Sequence, residues 1–518
     1  MSPVRGATAR SRRPDAAPSA GGRAGIVLTL LLVVSTACGD GGAVEETSGS
    51  PQSLDFAGKG LLLISLDTLR ADRLGCYGYD RETSPFLDEL AAESVLFESV
   101  YATSPKTASS HMSLFTSMLP TAHGVTNVSN RYGIKLKALA PNRLTLGQVL
   151  NQADYWNAAV ACGGNVQPKM GFTRGFKQRF ISQLMPIEDT VDRALELARH
   201  GVTRGKPPFL FVHTYEIHAP YLPPATFRER LAPTPGPVLG PIIEDLAGRP
   251  RRELGLAPQG LWDQQDDFTP ADVAYLSDLY DAGIAHTDQE LRRFFGELEQ
   301  LGVLDDWIVV VLSDHGEEFA EHGDFEHDQL YTEHLHVPLI VRLPGGELGG
   351  TRVTGQASLL DVMPTLLELL DLPGPETMQG RSLVPAMRSG RTEDLPVLAE
   401  HVMFPGLYRA TLRAGGQAIT YHQDDCALSA FDLGADPDEQ SDLGQDAAFF
   451  ASASGTLRAR LTQLFQLREA LDGVAMGEEL PLDEEQLSEL LQLGYTGDDL
   501  PAPEGSPLSC WPEEGDGR

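Results

Sequence analysis

Four short apolar runs constrain the fold of this chain more than anything else in it. GLLLISLD (60–67), PFLFVHTYEIH (208–218), WIVVVLSDH (307–315) and VPLIVRL (337–343) are continuous and rich in β-branched or aromatic residues. A strand with one wet face alternates polar and apolar residues. A strand without alternation is buried on both faces, as in a parallel sheet covered by helices on each side. Three of the four runs end in potential ligands or catalysts: Asp67, His213 with His218, and Asp314 with His315. Open α/β sheets build their sites outside the carboxyl ends of strands. The runs therefore predict both the sheet and the edge on which a site would sit.

Helical spacing fills the intervals at 83–97, 187–200, 273–302 and 361–372, the first opening on a Thr/Ser capping signal. The predicted fold class is α/β: a doubly wound, mainly parallel sheet flanked by helices over 59–390. From 391 to 498 the pattern changes. YRATLRAGGQAITYH alternates and is followed by Gly and Asp turns, which predicts a small C-terminal antiparallel sheet, and helical spacing returns at 455–497. Residues 39–58 read as a flexible tether and 499–518 as an acidic tail. A chain of 518 residues with 42% hydrophobic residues can bury a core of this size.

The formal net charge of −33 excludes nucleic acid as a partner, because nothing would neutralise a row of phosphates. The start of the chain has a separate purpose. Five arginines precede GIVLTLLLVV (25–34), which is too short to span a bilayer and ends in STAC at Cys38. Residues 1–38 resemble a bacterial lipoprotein signal peptide. That resemblance implies export to the cell envelope and a lipid anchor on Cys38, in the periplasm or on the outer membrane. Ser35, where an aliphatic residue is usual, keeps ordinary secretion open. Four other cysteines permit zero, one or two disulfides.

Five stretches in order resemble the sulfatase branch of the alkaline-phosphatase superfamily. They are LLLISLDTLRADRLGCYGYDRETSPFLDELA, SSHMSLFTSMLPTAHGV, FLFVHTYEIHAPYLPP, IVVVLSDHGEEFAEHGDFEHDQLYTEHLHVPLIV and AFDLGADPDEQSDL, and the late LDEEQLSELLQLGY is familiar from bacterial members. Members of the usual kind carry Cys or Ser before x-Pro-x-Arg, and that residue is converted to formylglycine. In SPKTASSHMSLFTS (104–117), Thr107 stands at the nucleophile, Ser109 at the proline and His111 at the arginine. No formylglycine is expected, and Cys76 lacks the required neighbours. Phosphodiesterase and phosphoethanolamine-transferase relatives use Thr as nucleophile, and a hydroxyl becomes competent beside a metal or a base.

The resemblance implies one divalent metal held by Asp67, Asp314, His315 and Thr107. Zn²⁺ or Mn²⁺ is favoured over Ca²⁺, because imidazole enters the set and Thr68 replaces a second carboxylate. It also implies His218 and His327 near the transferred group, His218 as general acid or oxyanion donor. His111 would bring a pH-dependent charge in place of a guanidinium, and Lys106 and His123 would border the anion. His322 and His327 are the spare candidates for a second metal.

Duller readings stand beside these. Asp67 could cap a turn, Thr107 could cap a helix, and His213 could be a satisfied core residue. His322, His334, His336 and His123 could be surface or supporting groups, and Asp288 and Asp361 structural. The expected function is hydrolysis of a sulfuric or phosphoric ester through a covalent Thr107 intermediate, acting on an anionic substrate such as a glycan or lipid head group. Transfer of a phosphoryl group to an envelope glycan or lipid is the alternative. A binding lipoprotein that keeps the fold without catalysis is the alternative of another class.

Overall fold

The four apolar runs are neighbours at the centre of one sheet. A computed structural model describes residues 54–128, 135–163, 165–182, 185–249, 261–403, 407–477, 479–480 and 507–512. The signal segment, Cys38, most of the tether, LDEEQLSELLQLGY and most of the acidic tail lie outside the described residues.

The strands β1 (Gly60–Leu66), β2 (Val95–Tyr101), β3 (Trp156–Cys162), β4 (Gln178–Ser182), β5 (Pro208–Thr214), β6 (Trp307–Leu312), β7 (His336–Arg342) and β8 (Arg352–Ser358) form an eight-stranded sheet in the order β8-β2-β7-β6-β1-β5-β3-β4. β1 runs parallel to β5 and β6, with Ser65 opposite His213 on one side and Leu312 on the other. All of β1, β5 and β6 is buried, which is why these segments read as unbroken apolar runs. Helices α1 (Pro85–Ala92), α2 (Thr107–Thr116), α3 (Ile187–Val202), α4 (Pro270–Gln300) and α5 (Val362–Leu369) accompany the sheet.

Two expectations need correction. VPLIVRL is not a parallel strand: β7 runs antiparallel to both β2 and β6. A parallel return needs a long crossover, and the 313–335 connection holds no helix longer than the four residues Thr332–Leu335. The first helix is also shorter than its spacing suggested, because Val95, Leu96 and Phe97 leave it for β2.

The 31-residue α4 opens with a capping box between Thr269 and Asp272, and its buried middle fixes parts of the site edge. Tyr280 Oη donates to Thr68 O at 2.7 Å and accepts from Arg70 N at 2.9 Å, holding the turn that follows β1. Asp288 accepts from Phe86 N and Leu87 N, capping α1. Asp361 accepts from Ser358 N and Arg381 N. Both aspartates are structural, as expected.

Strands β9 (Val397–Met403), β10 (Leu407–Ala414), β11 (Gln417–His422) and β12 (Ala427–Asp432) make the small antiparallel sheet. Tyr408, Leu412, Ile419 and Tyr421 pack with Leu457, Leu461 and Leu464 of α6 (Phe450–Asp472) and with Met118 and Leu119 beyond α2. Buried Arg413 on β10 reaches Glu439 at 2.8 Å and Leu330 O at 3.0 Å, tying this sheet to the connection before β7. Cys426 and Cys510 form a disulfide.

His123 does not border any anion. It is buried, its Nδ1 accepts from Val125 N at 3.0 Å, and its Nε2 meets Ser109 O at 3.1 Å as the donor. Burial pushes its pKa down to about 3. An unfolded histidine titrates near 6.5, so the unfolded chain takes up a proton that the folded chain refuses. The stability contribution is complete above about pH 6.5 and is lost as pH falls towards 3, at about 1.4 kcal/mol per pH unit. Urea unfolding at pH 7, 6 and 5 is expected to show a shallower pH slope for His123→Gln by about that amount. Equal slopes would contradict this reading.

Candidate active site

Strands β1, β2 and β6 deliver polar side chains to the edge of the sheet at which their carboxyl ends point. Asp67 follows β1, and its amide donates to Thr214 O at the end of β5. Asp314 follows β6 after Ser313, whose Oγ accepts from Leu69 N and so binds the two loops together. Thr107 opens α2, the helix entered from β2. Ser110, one turn further on, donates to Asp314 O at 2.6 Å. Asp67, Thr107, Asp314 and His315 are all fully buried.

Thr107 is not a helix cap. Lys106 holds the cap position without a side-chain capping bond. The Thr107 hydroxyl turns instead to His315 Nε2 at 3.2 Å and accepts from Tyr215 Oη at 3.3 Å. The first turn of α2 contributes its positive end to that oxygen. His315 Nδ1 donates to Gly316 O at 2.9 Å, which leaves the Nε2 lone pair facing Thr107 and, at 3.3 Å, Asp314 Oδ2. Thr68, next to Asp67, has φ 59°, a costly conformation for a β-branched residue.

His111 lies behind this group. Its Nδ1 meets Thr107 O at 2.9 Å and lies 3.3 Å from Asp314 Oδ2, while Nε2 meets Ser65 Oγ at 2.9 Å. Both ring nitrogens are engaged inside the protein, so His111 braces α2 against β1. His213 also belongs to the site edge, with Nε2 donating to Asp67 Oδ2 at 3.0 Å. His218 Nδ1 donates to Ala219 O at 3.0 Å, which leaves its Nε2 as the lone-pair nitrogen. The rings of His218 and His315 lie 5.2 and 4.5 Å from that of His327. His327 Nδ1 in turn lies 2.8 Å from Glu317 Oε1. Lys106 pairs with Asp328.

Electrostatics favour a cation at this edge. Burial, with Asp314 and Glu317 nearby, holds the Asp67 carboxyl well above the usual carboxylate range. Burial opposes ionisation of Asp314 too, but the surrounding His315 and His111 outweigh it and keep that carboxyl below the usual range. Burial pushes His315 down to about 4 and lowers His218 and His327, so these imidazoles are neutral at neutral pH. Asp67 Oδ1, Thr68 Oγ1 and both Asp314 carboxylate oxygens are buried without a hydrogen-bond partner. One ligand atom each from Asp67, Asp314 and His315 lies within 4.8 Å of the others. A divalent metal fits this donor set, since orphaned buried carboxylate oxygens otherwise carry a large desolvation cost.

The structure brings Asp67, Thr107, Asp314, His315, His111, His218 and His327 to one edge. It sends His322 elsewhere, against the ring of Tyr331 and 3.3 Å from Glu333. His334 is buried, not a surface group. Tyr215, Glu317 and Ser65 were missed in the sequence. The first two lie inside HTYEIH and SDHGE, where their neighbours drew attention; Ser65 carries no sequence signal.

The Sulfatase family model matches residues 59–372, and a second, N-sulphoglucosamine sulphohydrolase C-terminal, matches residues 320–467. Arylsulfatase K of Bos taurus is 30% identical over 208 residues, covering 38% of this chain and 38% of that protein. The chain thus spans little more than a third of that relative. The phosphonate monoester hydrolase of Agrobacterium radiobacter superposes with a TM-score of 0.64 at 20% identity, over 79% of this chain and 96% of that one. BT4656, solved in complex with its substrate D-glucosamine-2-N,6-O-disulfate, gives 0.62 at 18% identity, over 80% and 97%.

Proposed function

Because the chain belongs to the sulfatase family, we propose that it hydrolyses a monoanionic tetrahedral ester, a sulfate monoester or a phosphoryl ester with one negative charge, with Thr107 as nucleophile. The carrying observation is the Thr107 hydroxyl held between His315 Nε2 and Tyr215 Oη beside two buried carboxylates, of which Asp67 Oδ1 and both Asp314 oxygens lack a hydrogen-bond partner. A relic kept only for binding would have no reason to hold those charges out of water. Asp67, Asp314 and His315, with Thr107, would hold one divalent metal, and imidazole in the set favours Zn²⁺ or Mn²⁺. When bound it would lower the pKa of the Thr107 hydroxyl and offset charge on the ester oxygens.

The remaining steps belong to the chain. Thr107 Oγ1 attacks the sulfur or phosphorus as its hydroxyl proton passes to His218 Nε2, the bond from that sulfur or phosphorus to the leaving oxygen breaks, and His218 returns the proton to the leaving alcohol. Tyr215 Oη donates a hydrogen bond to Thr107 Oγ1. His218 enters as a base, because Nδ1 holds its proton against Ala219 O and Nε2 has none. It must first accept a proton before it can pass one to the leaving alcohol, and in the second half it can take one from the water that releases the Thr107 ester. His327, oriented by Glu317, lines the same space.

Charge supports the choice of a monoanion. Lys106 is already paired with Asp328 and the imidazoles are neutral, so little beyond the metal opposes Asp67, Asp314 and the substrate. The test is a rate comparison with aryl sulfate, phosphodiester, phosphonate monoester and phosphate monoester, each with Zn²⁺, Mn²⁺ or Ca²⁺. Turnover is expected with monoanionic esters and either Zn²⁺ or Mn²⁺. A preference for the dianionic phosphate monoester would sink the charge argument. An anionic glycan is the substrate class we favour, in line with the sulfated sugar bound by the BT4656 structure.

A further inference from the structure

The antiparallel course of β7 has placed a second set of ligating side chains beside the site. Because β7 runs against β6, its N-terminal end lies at the same sheet edge as the carboxyl end of β6. Gly316 N donates to His334 O at 2.7 Å and Glu317 N to Glu333 O at 3.1 Å, joining the two segments. The approach is so close that a Cβ on Gly316 would lie 1.9 Å from Glu333 O. Glu318 stands on one segment, Glu333 and His334 on the other, and His322 comes from the tip of the intervening hairpin.

These four side chains meet without satisfying one another. His334 Nε2 is 3.5 Å from Glu318 Oε2, His334 Nδ1 is 3.8 Å from Glu333 Oε1, and His322 Nε2 is 3.3 Å from Glu333 Oε1. Charge-assisted hydrogen bonds between such groups run at about 2.7–2.9 Å. Buried carboxylates elsewhere in this chain reach that range, Glu439 with Arg413 at 2.8 Å and Glu317 with His327 at 2.8 Å, and Glu400 takes the shorter hydroxyl bond of Thr121 at 2.6 Å. In the second cluster Glu318 Oε2, Glu333 Oε1, His322 Nε2 and both nitrogens of His334 have no hydrogen-bond partner. His334, Glu318 and Glu333 are 0, 1 and 7% exposed. One ligand atom from each of these three lies within 4.8 Å of the others.

The surroundings orient the ligands, and the two nearby guanidiniums are hydrogen-bonded to other groups. Glu318 Oε1 accepts from His322 N and Asp324 N, which leaves Oε2 for the cluster. The His322 ring stacks on Tyr331 at 3.5 Å. Thr332, beside Glu333, donates from N and Oγ1 to Glu439. Of these guanidiniums, Arg70 is committed to Asp72, Glu321 and Glu317 O, and Arg413 to Glu439, Thr332 Oγ1 and Leu330 O. Two carboxylates and two imidazoles that converge in a dry place, held from behind by backbone and side-chain bonds, are what a closed metal site requires.

We propose that Glu318, His322, Glu333 and His334 bind a second divalent metal, Zn²⁺ by the balance of two nitrogen and two oxygen donors, in a structural site. Its four protein ligands include no nucleophile, unlike the group at Asp67, whose fourth member is Thr107. Its role is to lock the loop carrying Glu317 and His327 to the segment that enters β7.

The experiment is elemental analysis of the full chain after zinc loading and removal of free metal. Wild type is expected to hold two zinc per chain. Glu318→Gln and His334→Asn are expected to hold one, and the Asp67→Asn/Asp314→Asn double variant also one, retained at the second cluster. Wild-type zinc content unchanged in Glu318→Gln and His334→Asn would overturn the proposal. If neither variant folds, the double variant still decides: one zinc supports the second site, and none refutes it. Activity does not enter this readout, so the proposal stands or falls apart from the ester-hydrolase reading.

Discussion

Thr107→Ala is expected to lower kcat by at least about 10⁴-fold, since loss of a covalent nucleophile elsewhere costs up to about 10⁶. Stability should change little. The Thr107 hydroxyl meets His315 and Tyr215 at 3.2 and 3.3 Å, lies beside the Asp67 carboxyl, and caps no helix. Thr107→Ser keeps the hydroxyl and should retain measurable turnover. Rapidly quenched wild type should carry the mass of one sulfuryl or phosphoryl group on the peptide that contains Thr107, and Thr107→Ala none. A loss of tenfold or less would mean that Thr107 only lines the site, and that water or another group attacks the ester.

The same geometry explains what could be read from the sequence. Asp67, Asp314 and His315 were legible because parallel strands buried on both faces have a distinctive composition, and their carboxyl ends share an edge. β7 was not legible as an antiparallel strand, because burial on both faces erases alternation whichever way the strand runs. That error hid the second cluster, since Glu333 and His334 reach Glu318 only if β7 is reversed. His111 was expected to face the substrate from its alignment with an arginine. An imidazole is shorter than a guanidinium, and here it stays inside, between Ser65 and the Thr107 carbonyl. His213 could not be assigned either way from an apolar strand, and its Asp67 contact depends on the Ser65–His213 register. The tautomers of His218 and His315 rest on single backbone carbonyls, which no sequence pattern encodes.

Asp67→Asn separates the metal reading from a merely structural one through the sign of its stability effect. In the metal-free wild type the Asp67 carboxyl is buried, pushed up by burial and by Asp314 and Glu317, and Oδ1 has no partner. A carboxyl with a raised folded pKa binds protons more tightly folded than unfolded. It therefore destabilises at neutral pH, and this penalty of Asp67 itself shrinks as pH falls from 7, against the opposite trend of the buried histidines. Asparagine keeps an oxygen for His213 Nε2 and removes the charge. Metal-free Asp67→Asn should then melt higher than metal-free wild type at pH 7, and this advantage should shrink as pH falls. Adding Zn²⁺ reverses the order: a ligand at 1,000 times its Kd stabilises wild type by about 4 kcal/mol, and the variant lacks this gain at the first site. Turnover should fall by at least about 10³-fold, the scale of losing a metal-dependent nucleophile's activation. If Asp67 instead serves only to hold His213 and the turn after β1, Asp67→Asn will be less stable than wild type without metal, and zinc will stabilise both proteins equally.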